Sequence, residues 1–341
     1  GVAGCAGRTR PEGVLLAGLC GIALLLARPN RSLQTMAGWL VISGSVWLLL
    51  MLPYFASNLQ LAGSLLPSTN AAKVVALSIR YGLPLSMRFA QITSAMLAGA
   101  QLLLMPGVVF YSFRFLRFPH RSSSSALFLV PVAWALALPV LYSIWMPFWE
   151  QHGRYVIPAI PSLVMAGGVG SLWLLKGFRE NRVMRVLSTT LVMSAWSVLV
   201  AFAFLLGLAA YQKDVILINQ EMVDPAQWIA ENLPADDLLA AHDIGAIGFF
   251  APRPLLDTAG LVTPETVPFL FDGDGMFALM ERLNVRYFVA LSEYVPVTVD
   301  SHVRLCPLYR SPGSEELVIA SGGSKMVVYL VAWDGVCPPE S

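Results

Sequence analysis

Aspartate is missing from the first 211 residues of this chain, while the remaining 130 hold ten. Acids of any kind are scarce in the first stretch. Glu12, Glu150 and Glu180 stand against fifteen Lys and Arg, a balance of +12, whereas residues 212–341 carry seven basic residues against eighteen acids, a balance of −11. Charged residues make up only 13% of the whole, about half of what soluble domains use. This excludes a uniformly water-soluble protein: a carboxylate within a bilayer is costly and rare, and the two regions read as chains adapted to different solvents. Cysteine is also scarce, at four, too few for a disulfide scaffold. Four scattered histidines provide no metal-ligand spacing.

What is abundant is apolar sequence, 56% of residues. Six apolar runs can be marked, about Gly13–Ala27, Thr35–Ser57, Ala90–Phe113, Ala126–Met146, Tyr155–Leu175 and Val186–Tyr211. Most approach the roughly 20 residues that cross a bilayer, so the expected architecture is six transmembrane helices over 1–211, followed by a small soluble α/β domain over 212–341. The first run follows Arg8 and Arg10 but lacks a small-residue cleavage site, which favours a membrane helix near the start of a truncated or processed chain over a signal peptide. Basic residues gather in short loops: Arg28 and Arg31; Arg114, Arg117 and Arg121; Lys176, Arg179, Arg182 and Arg185. That is the pattern of topology signals, not of nucleic-acid contacts. It puts these loops in the cytoplasm and the acidic domain outside. Between the second and third runs, 73–89 mixes Lys73, Arg80 and Arg88 with Val74, Val75, Leu77, Ile79 and Leu83, as an amphipathic helix on the outer leaflet does, with Pro84 breaking or ending it.

After Tyr211 the pattern changes. Asp224-Pro225 opens a helix that Pro234 stops. Strands are expected at Leu238–Ala241, Leu255–Asp257, Val285–Leu291, Val303–Tyr309 and Met326–Val331, with a helix over Met276–Leu283. Gly245-Ala246-Ile247-Gly248 lacks a full nucleotide-loop pattern and reads as a tight turn. Asp272-Gly273-Asp274-Gly275 fails as a calcium loop because Met276 and Leu283 stand where ligands are needed. His242-Asp243 is an acid/base pair without an accompanying nucleophile. Cys306 and Cys337 would pair if the domain is extracytoplasmic.

Several segments of the membrane half carry a family likeness: Thr9-Arg10-Pro11-Glu12-Gly13, Pro53-Tyr54, Asn58, Gly63, Leu66-Pro67-Ser68-Thr69, Ala72-Lys73 and Gly153-Arg154-Tyr155-Val156-Ile157-Pro158-Ala159-Ile160-Pro161. With His242–Gly248, Asp257 and Gly260-Leu261, their order over residues 8–290 resembles the C-terminal half of bacterial GT-C-type membrane glycosyltransferases, the superfamily of protein mannosyltransferases and aminoarabinose transferases. The resemblance implies a multi-pass protein of the bacterial inner membrane. It would move a sugar from a polyprenyl-phosphate donor to an extracytoplasmic acceptor. The family's catalytic carboxylate lies in an N-terminal outward loop that this chain lacks, as a fragment would. The catalytic residues are therefore unknown, and whether the chain as given is an enzyme stays open.

The donor-site candidates are Arg154, Arg10, Lys73, Tyr155, His152 and Glu150. A fixed guanidinium beside a helix N-terminus suits a lipid-linked phosphate. The structural counter-reading of this cluster is an interfacial anchor in which Tyr155 and Trp149 occupy the headgroup belt and Arg154 pairs with Glu150. No cofactor is identifiable, and a divalent metal is left to the full-length enzyme. The partners are the lipid-linked sugar and membrane lipids, with no nucleic acid; protein partners are unknown. Two other readings stay open: a non-catalytic membrane protein whose outer domain binds a partner, and a transporter of lipid-linked sugars. Helix centres almost empty of ionisable residues weigh against the transporter.

Overall fold

The computed structural model describes residues 12–27, 32–65, 67–97, 101–117, 125–177, 180–298, 303–313, Val318 and 324–338. In chain order the principal elements are α1 (Gly13–Ala27), α2 (Leu33–Ala62), α3 (Ser68–Ala76), α4 (Leu85–Leu97), α5 (Met105–Arg117), α6 (Val130–Trp145), α7 (Ile160–Gly177), α8 (Arg182–Ala201), α9 (Leu208–Ile218), α10 (Asp224–Asn232), β1 (Leu239–Ala241), α11 (Ile244–Phe250), β2 (Leu255–Asp257), α12 (Gly273–Arg282), β3 (Tyr287–Leu291), β4 (Arg304–Arg310) and β5 (Met326–Ala332). They form two compact units. One comprises Gly1–Leu65 and Leu77–Gly207, the other Leu66–Ala76 and Leu208–Ser341.

Three helices of the described residues are long and apolar enough to cross a membrane. They are Gln34–Gln60, Glu150–Gly177 and Arg182–Asn232, with 27, 28 and 51 residues and mean hydropathies of 1.8, 1.5 and 2.3. Leu85–Leu97 and Gln101–Arg117, bent by 90° at their break, make a fourth only if counted together. The six crossings expected from the sequence are thus corrected to three or four. Hydropathy registers an apolar run but not its straightness, and the run Ala90–Phe113 contains the bend. The apolar helices α1 and α6 have 15 and 16 residues. At 1.5 Å per residue they reach about 24 Å, short of a hydrocarbon core of about 30 Å.

A second correction concerns 73–89. In place of one amphipathic helix there are α3, a 3-10 stretch over Ser78–Gly82, and α4, which begins immediately after Pro84. Proline has no N–H and biases its predecessor away from helix, so the chain restarts there. Moreover α3 packs in the second unit: Ala72 is 1% exposed, and a Cβ on Gly260 would lie 3.4 Å from that of Ala72.

Within the first unit, α5 and α7 touch backbone to backbone. A Cβ added at Gly107 would sit 2.1 Å from the Gly167 carbonyl oxygen, and one at Gly170 1.9 Å from that of Gly107. This is the close approach that small residues allow between membrane helices. The core around it joins Ile92 and Met96 of α4, Trp134, Leu138 and Tyr142 of α6, and Leu163 of α7. The Trp134 indole donates to the Pro158 carbonyl at 3.0 Å, tying α6 to the approach to α7.

The second unit is a mixed five-stranded sheet in the order β2-β1-β3-β5-β4. β1 pairs parallel with β2 and β3, while β5 pairs antiparallel with β3 and β4. Leu239, Ala241 and Val289 pack with Ala226, Ile229 and Ile247. Ala240, Phe288 and Ala290 pack with Met276, Phe277 and Met280 of α12. The alternation along β1 and β3 therefore buries both faces under helices, which explains why these two read as unbroken apolar runs. Glu221, 1% exposed, stitches its helical turn to the sheet by accepting from the Ser311 hydroxyl and, at 2.9 Å, from the Met326 N–H. Cys306 of β4 and Cys337 form a disulfide with their Cα atoms 5.6 Å apart. The stretch Gly245–Gly248, expected as a turn, is helical within α11. Both glycines have open space where a Cβ would stand, so no close approach requires them.

Candidate functional site

The densest polar constellation of the first unit forms where α6 ends and the chain turns into α7. Between Trp149 and Arg154 three consecutive residues hold left-handed backbone: Gln151 (φ 54°), His152 (φ 56°) and Gly153 (φ 63°). For the two non-glycine residues this costs roughly 1–2 kcal/mol each. Gly153 is needed for a second reason, since a Cβ there would come within 2.7 Å of the Ala95 Cβ on α4. The reversed turn closes by the Arg154 N–H donating to the Gln151 carbonyl at 3.2 Å. Left-handed backbone at non-glycine positions concentrates where function holds it in place.

Arg80 enters this turn from the 3-10 stretch. It donates to both carboxylate oxygens of Glu150 and, at 3.1 Å, to the Pro147 carbonyl, and its guanidinium lies 4.3 Å from the Trp149 ring centre. The fork-to-carboxylate geometry is the strong form of such pairs. Glu150 is therefore held by Arg80, not by Arg154 as the anchor reading of the sequence supposed. Arg154 is exposed. Its guanidinium lies 5.8 Å from the Phe148 ring and 5.2 Å from the Tyr155 ring, with the Tyr155 hydroxyl 3.4 Å from Nη2. Tyr155 in turn packs against Phe148 and Tyr142, with centroids 5.3 and 5.1 Å apart.

Glu12 lies beyond Tyr142. It is 8% exposed. One carboxylate oxygen accepts from the Tyr142 hydroxyl; the other, Oε2, is buried with no partner among the described residues. Arg88 donates to the Ser143 carbonyl at 2.8 Å from α4, and the Tyr81 hydroxyl donates to the Trp145 carbonyl. Four segments far apart in sequence, around residues 12, 80–88, 142–145 and 148–155, thus contribute to one polar cluster, whose exposed edge at Glu150, His152 and Arg154 is its mouth.

Of the residues expected from sequence, Glu150, His152, Arg154 and Tyr155 share this turn. Arg10 lies outside the described residues. Lys73 sits on α3, in the other unit. Sequence reasoning missed Tyr142, hidden in an apolar run without any pattern to mark it. It took Arg80 for part of a surface helix. Glu12 left a trace, as one of three acids before residue 212, but without a partner to point to.

A second constellation lies in the second unit, at the C-terminal ends of the parallel strands. From β1 the chain goes to β2 on one side and returns to β3 on the other, so the ends of β1 and β3 flank the switch point where open α/β sheets bind ligands. His242 follows β1 there. Its N–H donates to the Val289 carbonyl at 3.1 Å, and its ring stacks on Tyr294 with centroids 3.9 Å apart and 4° between planes. Burial pushes the His242 pKa down, with Asp243 and Asp257 pulling the other way, so the imidazole is neutral near neutral pH. Its Nδ1 and the Thr258 hydroxyl are buried without partners among the described residues. The Asp257 carboxylate is occupied with its own loop, accepting from the Ala259 N–H at 2.9 Å and the Val262 N–H at 2.7 Å. No group of three or more His, Cys, Asp or Glu poised to hold a metal occurs among the described residues.

Residues 210–329 match a family model described as a domain of unknown function, DUF8728. The match falls within the unit that carries the sheet. No curated protein matches the chain.

Proposed function

We propose that this chain is the C-terminal portion of a membrane glycosyltransferase that takes a sugar from a polyprenyl-phosphate donor, and that the donor phosphate is received by Arg154 at the mouth of the first unit. The reading is carried by one observation. A left-handed turn, held against α4 through Gly153, presents an exposed guanidinium braced on two aromatic rings. Arg80 neutralises Glu150 beside it, so Glu150 does not draw on Arg154. Stacking on Phe148 and Tyr155 limits the rotamer freedom that phosphate binding must remove. In this reading the second unit lies outside the membrane and acts on the acceptor side. The basic loops support that orientation, as does the Cys306–Cys337 disulfide, because such bonds persist in oxidising compartments. A second reading, a non-catalytic protein whose outer unit binds a partner, draws on the His242–Tyr294 stack at the switch point.

The test is binding of polyprenyl phosphate to the intact protein in nanodiscs. Arg154→Ala is expected to weaken binding by about 1.5–3 kcal/mol, the scale of a charged hydrogen bond. Arg154→Lys should recover only part, since lysine lacks the planar fork. Undiminished binding by Arg154→Ala overturns the assignment and leaves the turn as an interfacial anchor.

A further inference from the structure

We infer that Glu12 is the sugar-reading group of this mouth, its buried Oε2 accepting a hydroxyl of the glycosyl group whose phosphate lies on Arg154. The inference rests on the donor-site reading above and adds what that reading lacks, a contact to the sugar. It starts from an imbalance. A glutamate that is 8% exposed has one carboxylate oxygen engaged by Tyr142 and the other without a hydrogen-bond donor among the described residues. Leaving a buried acceptor unsatisfied costs on the order of 1–3 kcal/mol, more when it is charged, so such groups in a folded protein call for an explanation. Among the described residues the one side-chain bond of this group is that from Tyr142. The Glu12 backbone carbonyl already accepts from the Leu15 and Leu16 N–H groups at 3.0 and 3.3 Å, which starts α1 without help from the side chain.

The missing partner must be a hydrogen-bond donor, and its surroundings select its kind. Tyr142 bridges Glu12 to Tyr155, and Tyr155 touches Arg154, so the orphan oxygen and the guanidinium belong to one connected set of side chains. Arg80 is spent on Glu150, and the Arg154 guanidinium joined to this set disfavours a second cation. A neutral hydroxyl joined to an anion meets both ends, and a glycosyl phosphate is that molecule. Tyr142 is itself buried, so the half-buried ring of Tyr155 is the aromatic surface left for a sugar ring. The terminal carboxyl torsion is soft, so Glu12 can turn either oxygen toward the mouth without moving the backbone.

The experiment compares two kinds of probe on the intact protein in nanodiscs. One is bare polyprenyl phosphate; the other is a panel of polyprenyl-phosphate hexoses carrying mannose, glucose or galactose. The wild type is expected to prefer at least one sugar-bearing lipid over the bare one by about tenfold or more, the worth of a charged hydrogen bond. Glu12→Gln, which keeps the size and the bond from Tyr142, should abolish that preference while binding bare polyprenyl phosphate normally. Normal binding of the bare lipid also shows that the variant is folded. The inference is overturned if the wild type prefers no sugar, if Glu12→Gln retains the preference, or if it loses bare-lipid binding as well, which would mark Glu12 as structural. Arg154→Ala separates the two proposals. If it weakens every probe while Glu12→Gln changes nothing, the donor site stands and only the role of Glu12 falls. If Arg154→Ala has no effect, the donor site itself falls.

Discussion

The two units use the same apolar residues for opposite ends. In the second, valine, leucine and phenylalanine on β1, β3 and β5 are covered on both faces by helices, and Ala240, Phe288 and Val328 are fully buried. The window of greatest hydropathy, in the helix Arg182–Asn232 that begins in the first unit, has none of its residues buried within the protein, and that of Gln34–Gln60, in the first unit, has 6%. Side chains such as Leu49, Leu191 and Phe204 are 67–69% exposed, in keeping with lipid as their solvent. Helices in lipid gain little by burying leucine against leucine, so contact must come from close packing and polar bonds. That is what Gly107, Gly167 and Gly170 provide at the α5–α7 crossing. The comparison teaches that hydrophobicity identifies the solvent of a segment, whereas small and polar residues identify its neighbours.

Four changes probe that comparison, in falling order of expected effect. Cys306→Ser should lower the stability of the second unit by about 3–4 kcal/mol, the chain-entropy value for a bridge whose ends are 31 residues apart. In a thermal melt followed by circular dichroism, the sheet signal should fall earlier while the helical signal of the first unit holds; a joint loss would show the units to be one cooperative whole. Gly170→Ala should destabilise the first unit by about 1–3 kcal/mol through overpacking, because the new methyl meets backbone that cannot swing aside. Detergent-solubilised protein would show this as a lower melting temperature, and an unchanged one would refute the backbone contact. Gly245→Ala, in α11 with nothing within 4 Å of the added carbon, should do the reverse and stabilise by about 0.5–1 kcal/mol.

The smallest effect concerns acid. The His242 pKa is lowered in the folded protein, so the unfolded chain takes up a proton first as the pH falls below about 6.5. Stability should then decline through the window between the unfolded and the folded pKa and level off below it. His242→Asn should flatten that part of the pH profile of urea unfolding. A profile that keeps its slope would assign it to another group.

How much of this was legible in residues alone differs between the units. The strands Leu255–Asp257 and Met326–Ala332 lie within a residue of where the sequence suggested, because short apolar runs bounded by Pro, Gly and Asp have few other uses. Cys306 and Cys337, expected to pair if the domain is extracytoplasmic, are bonded. Six crossings were read where three helices of the described residues, or four with the bent pair, are long and apolar enough to cross, because hydropathy registers neither the bend nor the shortness of α1 and α6. The mouth was half legible: Glu150, His152, Arg154 and Tyr155 are contiguous and polar, so they announce themselves.

Sequence by itself determined the solvents. The charge reversal near residue 211 and the unbroken apolar runs reflect desolvation energies that every conformation of the chain must respect. It also determined the local punctuation, such as the proline before α4 and the glycine that lets the 151–153 turn lie against Ala95. Only the tertiary structure decided who meets whom. Arg80 rather than Arg154 takes Glu150, Ala72 joins the sheet-bearing unit, and Tyr142 reaches Glu12 across 130 positions. Such pairings depend on helix lengths, bends and rotations summed over many residues. No local propensity encodes them, and the energy of any one contact is too small to be read from the two residues that make it.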